Sequence, residues 1–188
     1  MRIFLIACLL FLVFPAYAAD MSVEQAYKAL NHKQTTFNKN RASMNETESK
    51  YLDHLFFVSD LAFRERMVML KYFKSKKDDQ YIDGYNKQVG DLLASFALIK
   101  APNRNLQQIE TLLKGAITEQ KQFFNEWNKA RGNSHYDQLQ RNYSSHKLVQ
   151  SSHNKLIQAY STLKRSYPRE TAHNQQSFYD HLCALDFL

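Results

Sequence analysis

LQRNYSSHKLVQSSHNKLIQAYSTLKRSY, residues 139–167, decides the fold class. Leu139, Asn142, His146, Val149, His153, Leu156, Tyr160, Leu163 and Tyr167 recur along it at alternating steps of three and four residues. That spacing keeps one face of an α-helix turned toward a neighbour, so the stretch reads as a bundle seam with three polar insertions. The pattern predicts one long helix from about His135 to Arg165, stopped by Pro168, whose ring cannot continue a helix.

The same periodicity extends outward in both directions. Upstream, Leu106, Ile109, Leu113, Ile117, Gln120, Phe124 and Trp127 share a stripe on a helix capped by Asn103 or Asn105 and ended before Gly132. Val89, Leu92, Leu93, Phe96 and Ile99 place another helix over about Gln80 to Ile99, and Tyr51, Leu55, Val58, Ala62, Met69 and Phe73 place one over about Glu46 to Phe73. A helix capped by Ser22 is expected to run to about Phe37. Downstream, Phe178, Leu182, Leu185 and Phe187 mark a short last helix from about Thr171 to Asp186. The chain has only four glycines and three prolines, which leaves few breakers. Short connections make successive helices antiparallel. The expected fold is therefore all-α, an elongated up-and-down bundle of four or five long helices plus a short C-terminal helix.

The N-terminus reads differently. Arg2 gives a positive start, Ile3 to Val13 an apolar run, and Ala16-Tyr17-Ala18 small residues at the positions a signal peptidase reads. Residues 1–18 are thus expected to be a cleaved secretory signal peptide, with residues 19–188 as a single domain. Leu5-Ile6-Ala7-Cys8 looks like a lipobox, but the apolar run continues past it to Phe14, so cleavage before Ala19 is the preferred reading. The run is also shorter than the roughly 20 residues a membrane span needs. An exported protein, periplasmic or secreted, follows as the expected location.

Charge and cysteine content narrow the function classes. The formal charge of +7 falls to +6 on loss of Arg2. A basic exported protein favours anionic partners, either a membrane surface or an acidic protein. No recognised nucleic-acid module is present, and export argues against that partner. With Cys8 lost, Cys183 is the one remaining cysteine, so an internal disulfide is impossible. It reads either as a small buried apolar side chain or as the site of an intermolecular disulfide.

Catalytic motifs are missing: no phosphate-binding glycine loop, G-x-S-x-G elbow, H-E-x-x-H or C-x-x-C-H occurs. Di-iron bundles need inward Glu-x-x-His pairs. The seam histidines lack them, since Val149 and Gln150 follow His146, and Leu156 and Ile157 follow His153 at the matching steps. No cofactor or metal is expected from the motifs, although a cofactor-binding bundle using the seam histidines is one alternative. His146 and His153 are otherwise candidates for a pH-sensitive seam. Two groups of cations beside aromatics are candidates for lipid or anion binding: Lys71, Lys74, Lys76 and Lys77 next to Tyr72 and Phe73, and Lys164, Arg165 and Arg169 around Tyr167. Antiparallel helices allow both groups to share one end of the bundle. The expected function is non-enzymatic binding through a helical, mildly basic, tyrosine-rich surface, as in a secreted effector. A periplasmic chaperone, inhibitor or immunity-type protein is the other reading.

Overall fold

The computed structural model describes residues 34–74 and 80–183. Among the described residues six α-helices follow one another: α1 Glu46–Lys74, α2 Gln80–Ser95, α3 Arg104–Lys129, α4 Ser134–Arg141, α5 Lys147–Ser166 and α6 Ala172–Leu182. Single 3-10 turns at Lys39–Arg41 and Tyr143–Ser145 precede α1 and α5. No strand occurs among the described residues. The fold is the expected all-α bundle. With 29 residues, α1 is about 43 Å long. The α3–α5 pair is the most extensive helix contact, and α1 packs across α2, α3 and α6.

Helix limits follow local chemistry. Asn103 caps α3 by accepting from the Leu106 amide at 2.9 Å, and Thr171 caps α6 by accepting from the Asn174 amide at 3.2 Å. After α3, Gly132 takes φ 81°, a backbone conformation that a side chain would strain. Every member of the stripe from Leu106 to Trp127 is buried, as its periodicity predicts.

Three expectations are corrected. First, the seam is not one helix. Asn142 ends α4, Tyr143–Ser145 forms a 3-10 turn, and His146 turns extended (ψ 135°) to cap α5. Asn and Ser compete for backbone hydrogen bonds. Here Ser145 Oγ donates to the Asn142 carbonyl at 3.1 Å, while Tyr143 drops into the core against Phe123 at 5.2 Å. Second, the buried face of α5 is Val149, Ser152, Ala159, Thr162 and Leu163, so Ser152 and Ala159 replace the expected His153 and Tyr160, which are half-buried. Small residues let α5 approach α3 closely: a Cβ on Gly115 would meet Lys155 Cδ at 2.9 Å. Third, α2 stops at Ser95, whose hydroxyl donates to the Leu92 carbonyl at 2.6 Å, so Ile99 falls in a loop. Of the expected first helix, residues 22–33 lie outside the described residues, and residues 34–37 are not helical. Leu185 and Phe187 also lie outside them.

Residues 34–44 instead form a strap that runs antiparallel to α6, extended apart from the 3-10 turn at Lys39–Arg41. Its amides are read by side chains. The Thr35 amide donates to Asp180 Oδ2 at 2.8 Å and the Asn38 amide to Asn174 Oδ1 at 2.8 Å. Glu170 Oε1 accepts from the Ser43 amide at 2.7 Å, the Ser43 hydroxyl at 2.8 Å and the Met44 amide at 2.9 Å. Its other oxygen accepts from Asn174 Nδ2 at 2.7 Å. Phe37 anchors the strap by stacking on Phe178 at 5.9 Å.

Candidate binding surface

The loop between α2 and α3 sits at the end of the bundle that also carries the start of α1, the start of α6 and the end of α5. Both of its ends are pinned. Phe96 is buried, with the His54 ring edge-on at 5.7 Å and Lys114 Nζ 5.1 Å above it. Asn103 Nδ2 donates to Glu48 Oε1 at 2.6 Å and to the Tyr167 hydroxyl at 2.9 Å, and that hydroxyl donates to Glu48 at 3.1 Å. Burial, with the Glu48 carboxylate adding to it and the Asn103 bond opposing it, pushes the Tyr167 phenol up to about 12. It therefore stays a neutral donor and ties α1, α3 and α5 together.

Between these pins the loop presents apolar side chains to solvent. Leu98 is 82% exposed and Ile99 44%. Lys100 and Arg104 follow them and are exposed. Beside Arg104, an open groove of about 670 Å³ runs between α3 and α5, lined by Gln108, Leu112, Gln158, Tyr160, Lys164 and Arg165. Lys164 Nζ lies 5.9 Å above the Tyr160 ring. Arg169 is exposed just beyond Tyr167. Among the described residues no acidic side chain pairs with Lys100, Arg104, Lys164, Arg165 or Arg169; Glu46 at this end is taken by Lys50 at 2.7 Å.

The two cation groups do not share an end. Tyr136 donates its hydroxyl to the Phe73 carbonyl at 2.9 Å, which puts exposed Lys71 at the opposite end with α4. Lys74 is the last residue of α1, and Lys76 and Lys77 lie outside the described residues.

The histidine seam is also divided. His146 caps α5 through Nδ1, which accepts from the Leu148 amide at 3.3 Å, and its ring meets Phe123 at 4.9 Å. Burial holds its pKa below the usual histidine value, against a smaller opposing pull from Glu126. His153 stands two turns into α5, half-buried. Glu170 and His173 have Glu-x-x-His spacing, but Glu170 holds the strap and His173 Nε2 meets the Thr36 carbonyl at 2.9 Å. Among the described residues no group of three or more His, Cys, Asp or Glu side chains could hold a metal ion. Cys183 is buried, its thiol 3.9 Å from the Leu156 carbonyl.

Sequence reasoning ended this helix at Ile99 but gave the Leu98–Arg104 loop no binding role, because Ile99 continues the apolar periodicity of α2. Pro102 followed by Asn103 marks the break in the sequence, but nothing local marks Leu98 as exposed. The fold and this end together define an all-α bundle with a basic, apolar-tipped loop. No protein family, curated protein or solved structure matches this chain.

Proposed function

We propose that the protein is exported and acts without catalysis by docking on an anionic lipid surface through the Leu98–Arg104 loop. The observation that carries this reading is Leu98, 82% exposed and followed by Lys100 and Arg104, which no described acid neutralises. Apolar side chains enter the acyl boundary while cations stay at the headgroups. Each Lys or Arg near an anionic surface adds about 1 kcal/mol. The pinned loop ends reduce the ordering cost of that contact. Groove cations Lys164 and Arg165 extend the basic area along α3 and α5. No helix among the described residues is long and apolar enough to cross a membrane, so the contact in this reading is peripheral.

The test is co-sedimentation of chain 19–188 with phosphatidylglycerol-containing vesicles against pure phosphatidylcholine vesicles. Binding to the anionic vesicles alone, weakened by salt, is expected. The Lys164→Gln/Arg165→Gln pair should weaken it by about 30-fold, from about 2 kcal/mol for two cations, and Leu98→Asp should weaken it independently. Equal sedimentation with both vesicle types, or binding indifferent to these variants, overturns the reading.

A further inference from the structure

A half-open pocket of about 40 Å³ lies where α1, α2, α3, α5 and α6 meet, and it shares no residue with the loop or the groove above. Most of its wall is apolar, from residues such as Phe63, Val89, Leu113, Ile117 and Leu182. Ala62 and Leu156 are the half-buried members of the wall, so the open side lies between α1 and α5. At roughly 10–15 Å³ for each water-sized occupant, the pocket holds about three heavy atoms. The open side lets the rest of a longer molecule run out past Ala62 and Leu156.

One polar atom in this wall is open. Gln120 is 7% exposed and Ser152 is fully buried. Gln120 Nε2 donates to Ser152 Oγ at 3.0 Å, while Gln120 Oε1 is buried without a hydrogen-bond partner. Two further polar side chains of the wall are engaged: Ser59 Oγ donates to the His181 carbonyl at 2.7 Å, and Arg66 Nε donates to the Tyr143 hydroxyl at 2.8 Å. A buried amide oxygen without a donor forfeits the hydrogen bond it had in water, so a donor delivered to it is favoured. The wall decides which kind of donor. An anion is repelled because the open atom is itself an acceptor. An ammonium is repelled because the Arg66 guanidinium lines the same pocket, and the apolar wall cannot solvate it. A neutral hydroxyl on an apolar body meets both demands.

We propose that this pocket binds a neutral aliphatic alcohol, its hydroxyl donating to Gln120 Oε1 and its chain lying on the apolar wall toward Ala62 and Leu156. Gln120 keeps its bond to Ser152, which holds the amide in place. Binding therefore adds a hydrogen bond without breaking one inside the protein.

Methyl- and amide-detected NMR of chain 19–188, which keeps every described residue, tests this with 1-butanol against its isomer diethyl ether. The two ligands have the same atoms, and the ether has no donor. Saturable shifts are expected from 1-butanol at the Val89, Ile117 and Leu182 methyls and the Gln120 side-chain amide, with affinity about tenfold above that of the ether. Gln120→Leu should remove that preference, bringing the two ligands to within about threefold of each other. The comparison in the wild-type chain decides the matter even where the variant fails to fold. Shifts that are absent, unsaturable or spread over the surface, an ether that binds as well as the alcohol, or a preference that survives in Gln120→Leu overturn the proposal. A pocket that takes water alone gives the first of these results.

Discussion

The two ends of the bundle are held by different physics. At the end carrying α4, aromatic rings close the core. Phe73 lies parallel to Trp127 at 4.2 Å and to Phe124 at 5.7 Å, and Arg131 sits 5.4 Å from the Tyr72 and Phe73 ring centres. Two polar tips at this end turn to backbone: Trp127 Nε1 donates to the Tyr136 carbonyl at 3.1 Å, and the Tyr136 hydroxyl to the Phe73 carbonyl at 2.9 Å. At the other end a buried carboxylate, Glu170, holds the strap against α6 through four hydrogen bonds. The first end depends on buried area and ring contact, which degrade gradually as atoms are removed. The second depends on satisfying backbone groups with one acceptor, and losing that acceptor strands several donors together. Loss of atoms should therefore be felt across the bundle at the aromatic end and locally at the strap.

Trp127→Ala should produce the largest effect. Trp127 is 1% exposed, and truncating a buried Trp costs about 3–5 kcal/mol. Urea denaturation should show that loss as a lower midpoint with an unchanged slope. A loss under about 1 kcal/mol, the range of a surface change, would break the view that ring packing holds this end.

Glu170→Gln should follow, at about 1.5–3 kcal/mol, the range for a hydrogen bond to a charged group. Its distinguishing readout is local. Amide exchange should accelerate at Thr35, Asn38, Ser43 and Met44 while amides around Trp127 keep their protection. Uniform acceleration across both ends would show that the strap is not an independent unit.

His146→Gln should produce the smallest effect and sharpens the comparison through pH. The folded pKa of His146 lies below its unfolded value, so the unfolded chain binds the proton first as pH falls. Its contribution is present above the ordinary histidine value and is lost as pH falls through that value toward the folded one. Wild type should therefore lose more thermal stability than His146→Gln between pH 7 and pH 5. Equal losses would remove His146 from the acid response.

Legibility in the sequence followed the locality of the interactions. The α3 stripe was readable in full because large apolar residues declare their spacing and Asn103 caps its own helix. The α5 face was misread by one position because Ser152 and Ala159 carry little hydrophobic signal, and close approach to α3 selects them for size. The break at Asn142–His146 was masked because Asn142 and His146 both fall on the seam period. Lys164, Arg165 and Arg169 were readable as a cation group, but their neighbours Leu98 and Arg104 reach them only through chain reversal. Glu170 gave no signal at all, since it binds Ser43 and Met44 more than a hundred residues away.

The sequence by itself determined helix content, most helix limits and the buried stripe of α3, because turn periodicity and capping act within a few residues. Tertiary structure alone decided which face of α5 is buried, which end each cation group occupies, and that the strap lies on α6. Each of these depends on side chains brought together by five packed helices, and no local spacing records that closure.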